Sequence, residues 1–260
     1  VLKAGIFLDM ENLNRCGGHG IQFRRIKALV EAQKAIVVRA NAYMAVDRER
    51  ENVDADHRQK RETYRNRARR EGYHLILKEV RRYRNAEGET VIKADSDLEL
   101  AIDSLLQSQN LDYVLLGTGD GDFVRLVRAL QNRGKRVDLL SFMHTSTALR
   151  EEVDHHFSGY LVPGILFGRG SDQRLRGYLH AVNEEKGFGF LTVQTGLGLD
   201  TIREDVFLHI TDLRTVRGEV MSNADFAYLR IKNAIIEFEL EDDGDRQKAI
   251  NAVEFRPELL

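Results

Sequence analysis

The chain has 260 residues, with 39 Lys and Arg against 41 Asp and Glu and 42% hydrophobic residues, enough for one or two domains with ample cores. A single cysteine, Cys16, excludes an intramolecular disulfide and a thiolate zinc site, and predicts a reducing, cytoplasmic setting. No apolar run reaches the roughly eighteen residues of a membrane helix, and Val1-Leu2-Lys3 opens onto a core strand rather than an export signal, so no membrane partner is expected.

Residues 4–8 form an apolar run predicted to be a buried strand, which ends in Asp9-Met10-Glu11-Asn12. The glycine run Gly17-Gly18-His19-Gly20 lacks the Lys-Ser/Thr of a phosphate loop and the spacing of a dinucleotide fingerprint, and reads as a connector. A helix over 23–34, a strand over 36–44, a basic helix over 54–70 and a strand over 73–79 follow. The basic helix has few apolar positions beyond Ala55, Tyr64 and Ala68, which predicts a largely solvated element. With Arg81, Arg82 and Arg84, just before the turn Asn85-Ala86-Glu87-Gly88, it is either a solvent-facing charged surface or a surface that tracks phosphates.

An acidic cluster comes next, Lys93-Ala94-Asp95-Ser96-Asp97-Leu98-Glu99, opening a helix whose apolar positions Leu98, Ile102 and Leu105 follow a helical period. Asp97 then falls in the first turn, off that predicted buried stripe, where a carboxylate also suits the helix dipole. Residues 113–116 are a short apolar strand ending in Gly117-Thr118-Gly119-Asp120-Gly121-Asp122-Phe123, a turn that carries two carboxylates. Capping of the helix over 123–133 is the plain alternative for Thr118 and Asp120. A strand over 137–141 completes an alternation that predicts a mostly parallel sheet covered on both faces. His155 and His156 lack matching ligand spacing and read as a surface pair; His144 and Thr145 follow the last of these strands near the crevice, where Thr145 could equally start a helix.

In such a sheet the three acidic clusters lie near strand ends or helix starts and can meet in one crevice. Like charges 4 Å apart repel by roughly 4 kcal/mol at an effective dielectric of 20, so gathered carboxylates must be protonated, solvated or bound to cations. An all-oxygen set favours Mg or Mn.

Glycines and Pro163 between residues 157 and 173 mark a boundary, and the texture then changes to short strands. Lys186-Gly187-Phe188-Gly189-Phe190 and Val206-Phe207-Leu208-His209 alternate so that Phe188 with Phe190, and Phe207 with His209, share a face where bases could stack. Residues 171–260 hold 11 Lys and Arg against 17 Asp and Glu, a balance of −6, which leaves 28 against 24, or +4, for residues 1–170.

Asp9-x-x-Asn12, Lys93 followed by Asp97, and Thr118-Gly-Asp120-Gly-Asp122-Phe123 resemble the motifs of NYN domains, the LabA-like branch of the PIN-like nucleases, over about residues 3–155. The family often has Lys-Gly-Val-Asp where this chain has Lys93-Ala94-Asp95-Ser96-Asp97, so either Asp95 or Asp97 takes the family's acidic position; Asp97 leaves Ala101 and Asp103 where small and acidic residues are expected. Residues 174–256 resemble a cold-shock domain, although Ala181 and Val182 stand where that family sets first-strand aromatics.

Together these resemblances imply an α/β fold, a PIN-like parallel-sheet sandwich at 1–157, a linker at 158–173 and a smaller all-β OB-type barrel at 174–260. They imply a Mg- or Mn-dependent ribonuclease in which Asp9, Asp97, Asp120 and Asp122 hold metal, Asn12 and Thr118 orient groups around it, and Lys93 contacts phosphate. Single-stranded RNA is the expected partner, with Arg81, Arg82, Arg84, Lys186, Phe188, Phe190, Phe207 and His209 as binding residues. A non-catalytic RNA-binding or scaffold protein, a DNA-directed nuclease, and a barrel that serves docking or homodimerisation are the alternatives.

Overall fold

The computed structural model describes residues 1–84, 90–93, 96–166, 174–214, 221–242, 244 and 246–256; of residues 81, 83, 84 and 90–93 it describes the backbone only. The chain divides into two compact units, Val1–Phe157 and Ser158–Leu260.

In the first unit the elements run β1 (Leu2–Asp9), α1 (Met10–Arg15), α2 (Phe23–Ala32), β2 (Ala35–Val46), α3 (Arg48–Val53), α4 (Ala55–Arg70), β3 (His74–Glu79), β4 (Arg81–Arg84), β5 (Thr90–Lys93), α5 (Asp97–Gln107), β6 (Tyr113–Gly117), α6 (Val124–Gln131), β7 (Arg136–Ser141), α7 (Thr147–Glu152) and β8 (His155–Ser158). The main sheet has the order β3-β2-β1-β6-β7-β8, and β1 pairs in parallel with both β2 and β6. Strands 1, 2 and 3 step outward in one direction, whereas β6 returns to the other side of β1. The sheet therefore changes direction at the β1–β6 boundary, and two parallel strands ending side by side there leave a crevice beyond their carboxyl ends. Helices cover the rest: Phe7, Val114, Leu116 and Leu139 are buried with Leu126, Val127 and Leu130 of α6 and with Leu100 of α5. Continuous apolar strands are what a sheet covered on both faces requires.

Helix α5 buries a different face from the one its apolar period predicts. Leu98 and Ile102, placed on the buried stripe, are 69% and 46% exposed, while Leu100 and Ser104 are fully buried. The helix carries apolar residues around most of its circumference, so periodicity could not select the face. Asp97 lies three and seven residues from Leu100 and Ser104, hence on the inward side.

The second unit contains β9 (Arg174–Asn183), β10 (Phe188–Gln194), β11 (Ile202–His209), β12 (Leu213–Arg214), α8 (Asn223–Ile231), β13 (Ile235–Asp242) and β14 (Gln247–Glu254). The order β11-β10-β9-β13-β14, with β14 pairing back to β11, closes a five-stranded barrel of OB type. Its core includes Leu179, Leu191, Val206, Leu208, Ile236 and Phe238, with Phe226 of α8 packed among them.

No helix among the described residues is long and apolar enough to cross a membrane.

Candidate active site

The crevice is built from the ends of β1 and β6. Leu8 pairs with Gly117 in register, so Asp9 and Thr118 are the residues that follow on each strand. A side chain at Gly117 would put its Cβ 2.5 Å from Leu8 Cδ2. Glycine lets the two strands stay this close at their ends.

Asp9 caps α1. Its Oδ1 accepts the Asn12 backbone N–H at 3.0 Å, and its Oδ2 accepts the Thr118 hydroxyl at 3.3 Å. Thr118 Oγ1 in turn accepts the Asp120 N–H at 3.2 Å, and Asn12 Oδ1 accepts the Gly119 N–H at 2.7 Å. A second clamp comes from Ser146, whose N–H donates to the Gly119 carbonyl at 2.9 Å. Asp120 Oδ1 caps the next turn by accepting the Asp122 N–H at 3.0 Å. The capping reading of this turn and the reading as a carboxylate site are therefore not exclusive, because capping uses one oxygen and leaves the other.

Asp9 is 4% exposed. Burial pushes its carboxyl above the ordinary 3.8, and the Asn12 amide and Thr118 hydroxyl pull it only partly back. Cys16, buried below, has its thiol raised first by burial and then by the charges of both Asp9 and Asp120. These two carboxylates thus share one neighbourhood.

Asp122 is exposed and Asp97 half-buried at the start of α5. Sequence reasoning gave Asp103 only a place in a pattern, yet it accepts the Tyr43 hydroxyl at 2.9 Å, and Tyr43 is the register partner of Asp9 on β2. Burial first, and the acidic α5 residues after it, push the Tyr43 hydroxyl far up. This tyrosine therefore stays a donor and ties α5 to the strand beside Asp9. Among the described residues, no three His, Cys, Asp or Glu side chains stand close enough together to form a protein-only metal cage.

Arg82 donates to Asp47 at 2.5 Å and to Glu49 at 2.6 Å, so its charge is already matched within the protein. The side chains of Arg81, Arg84 and Lys93, and Asp95 altogether, lie outside the described residues. The predicted surface pair of histidines is also corrected in part. His155 is exposed, but His156 is half-buried, with Nε2 2.7 Å from Ser141 Oγ, which lies 2.7 Å from Thr145 Oγ1. Ser146, and not Thr145, caps α7.

Burial lowers the His156 pKa to about 4 from 6.5. The unfolded chain then binds the extra proton between these values, so stability present above pH 6.5 is lost as pH falls towards 4, by about 3 kcal/mol over the window. Urea unfolding of parent and His156→Gln at pH 7 and pH 4.5 checks this. The gap between the two pH values is expected to shrink in the variant, and an equal gap would refute the assignment.

On the barrel, Phe188 faces His209 and Phe190 faces Phe207 across β10 and β11. The ring centroids of Phe188 and Phe207 lie 5.6 Å apart, those of Phe190 and Phe207 6.0 Å, and those of Phe207 and His209 6.5 Å at an interplanar angle of 21°. Arg246, which sequence reasoning missed, has its guanidinium 4.5 Å from the Phe207 centroid. On β9 the register partners of Phe190 and Phe188 are Ala181 and Asn183, so the aromatic surface belongs to two strands. Gly189, between the two Phe, has no room for a side chain: a Cβ would lie 2.6 Å from the Ala181 carbonyl. Lys186 is exposed at the approach to β10. His209 Nδ1 lies 2.7 Å from Thr211 Oγ1, fixing the ring.

A family model described as "NYN domain" matches residues 3–162. Among solved structures, a protein of unknown function from Vibrio parahaemolyticus is similar, at 26% identity and a TM-score of 0.48, over 60% of this chain and 91% of that one. No curated protein gives a significant match.

Proposed function

Since the chain belongs to the NYN domain family, a family of PIN-like nuclease domains, we propose that it hydrolyses phosphodiester bonds of RNA with the help of Mg or Mn. The observation that carries this reading is the pairing of Asp9 and Asp120 through the Thr118 hydroxyl at the point where the sheet reverses direction. NYN and other PIN-like nucleases generally use divalent metals. The residues here fit one by their chemistry. The donors are all oxygen, and Asp9 is a buried carboxylate whose ionised form no cation of the protein neutralises within ion-pair distance among the described residues. Mg characteristically takes one or two carboxylates and completes its shell with waters and substrate phosphate, so an acidic pair suffices where a cage is absent. Asp9 and Asp120 would hold the ion directly, with Asp97 and Asp122 acting directly or through water.

When bound, the ion supplies a more acidic water for in-line attack and offsets negative charge on the phosphoryl oxygens. The protein supplies position. Thr118 orients the Asp9 carboxylate and the Asp120 amide together, and Asn12 holds the Gly119 amide so that the turn cannot swing away from β1. Nothing in this scheme needs a nucleophile from the protein. Lys93 would contact a phosphate of the strand, and the aromatic face of Phe188, Phe190, Phe207 and His209, with Lys186, would hold unpaired bases.

The test is to incubate labelled single-stranded RNA and DNA with the full chain, with and without Mn. RNA is expected to be cut only with the metal. Asp120→Asn is expected to lose activity without losing its melting transition, because an amide oxygen can still cap Asp122. Cleavage by this variant at the parental rate would remove the site from the mechanism. Cleavage of DNA at the same rate as RNA would place no reading of the sugar in the site.

A further inference from the structure

Next to the acidic crevice lies an open cleft of about 690 Å³, bounded by α1, the end of β2, α4 and Val80. The volume falls in the range of roughly 300–1,000 Å³ typical of ligand clefts, enough for a nucleotide but not for a double helix. Its walls are tied together. Glu11 accepts the Ala45 N–H at 3.1 Å, Arg61 donates to the Ala45 carbonyl at 3.1 Å, and Arg61 and Glu11 approach to 3.6 Å. Arg61 is thereby occupied.

Two other cations at the cleft are not. Arg15 and Lys60 are exposed, and neither has a hydrogen bond or ion pair to any described residue. The hydroxyl of Tyr64 is buried at the wall of the same cleft, with the Asn14 side chain beside it. A polar lining with two cations outside any ion pair among the described residues suits an anionic, hydrogen-bonding ligand. Position strengthens this. Glu11 and Arg15 belong to the helix that starts directly after Asp9.

We propose that this cleft is a substrate subsite that holds a nucleotide of single-stranded RNA flanking the scissile bond, with Arg15 and Lys60 taking its phosphates. The proposal rests on the nuclease reading above for the words "substrate" and "scissile"; the binding itself can be measured without it. Arg15 and Lys60 come from α1 and α4, so a strand held by both would bridge the two helices across the cleft. Asn14 would face the base or ribose.

The experiment is equilibrium binding of a labelled 12-nucleotide RNA to the full chain in chelator, at several salt concentrations. The variant Arg15→Gln/Lys60→Gln is compared with Arg24→Gln/Arg70→Gln, which removes two exposed charges outside the cleft. The cleft variant is expected to bind roughly tenfold more weakly, and the slope of log K against log salt to fall in magnitude by about 1.4, two phosphates at about 0.7 each. Arg15→Lys/Lys60→Arg should restore both values, and the control pair should change neither by a comparable amount. Equal losses in the two Gln pairs would reduce the effect to general charge and overturn the subsite. Because chelator prevents metal-dependent cleavage, this outcome is separate from the nuclease reading, which fails only if the parent does not cut the same RNA when Mn is added.

Discussion

Asp9→Asn is expected to abolish cleavage while making the metal-free chain more stable at neutral pH. Asparagine keeps the shape of aspartate, can still accept the Asn12 N–H that caps α1, and can face the Thr118 hydroxyl. What it loses is charge. In the parent, burial holds the carboxyl above its unfolded value of 3.8, so its contribution to stability is fully present below the unfolded pKa and is lost as pH rises through the folded one. At pH 7 in chelator the parent therefore carries an ionised, buried group that the variant lacks. The variant should melt higher there, and the advantage should vanish near pH 3.5. Saturating Mn should reverse the order: a ligand at a hundredfold excess over its Kd stabilises by about 2.7 kcal/mol, and only the parent has the charge to hold it. Cleavage should fall by more than the roughly 10–100-fold typical of losing a partner one step removed from a metal. An Asn variant that Mn stabilises as much as the parent would show that Asp9 is not a ligand.

The barrel should show the second large effect. Stacking of a base on an aromatic ring contributes about 1–3 kcal/mol, so Phe207→Leu and Phe188→Leu should each weaken binding of single-stranded RNA about fivefold to 150-fold in chelator. Leucine is the informative replacement because both rings are half-buried and pack on one another at 5.6 Å; an apolar side chain preserves much of that packing and removes the π face. Phe207→Leu should have the larger effect. Its ring contacts Phe188, Phe190 and His209 and lies beneath Arg246. The net charge of −6 over residues 171–260 opposes phosphate, so the rings, rather than long-range attraction, must supply affinity on this unit. Unchanged binding in both Leu variants, with the melting transition intact, would make the aromatic face a protein-docking surface instead.

Much of this arrangement was legible in the residues themselves. The apolar runs at 4–8 and 113–116 are buried strands because a sheet covered on both faces accepts only apolar side chains there. The polar turns that end them, Asp9 to Asn12 and Thr118 to Asp122, follow from the abrupt change of composition at strand ends. Period two along a strand put Phe188 with Phe190, and Phe207 with His209, on a shared face of each strand; the β10–β11 register then joined the two pairs.

Tertiary structure decided what depends on partners distant in sequence. Strand order brought β6 beside β1, and only that adjacency lets the Thr118 hydroxyl, 109 residues away, reach Asp9. Periodicity could not choose among the apolar faces of α5; packing buried Leu100 and Ser104, left Leu98 and Ile102 in solvent, and set Asp103 against Tyr43. Arg82 looked like a free cation in a basic run until the fold put Asp47 and Glu49 against it. Arg15 and Lys60, 45 residues apart, came to one cleft because α1 follows the carboxyl end of β1 and α4 opens beyond that of its sheet neighbour β2. Local sequence carries the period and the turn, which are properties of neighbours along the chain; charge pairing and burial are properties of neighbours in space, and exist only once the sheet order has been set.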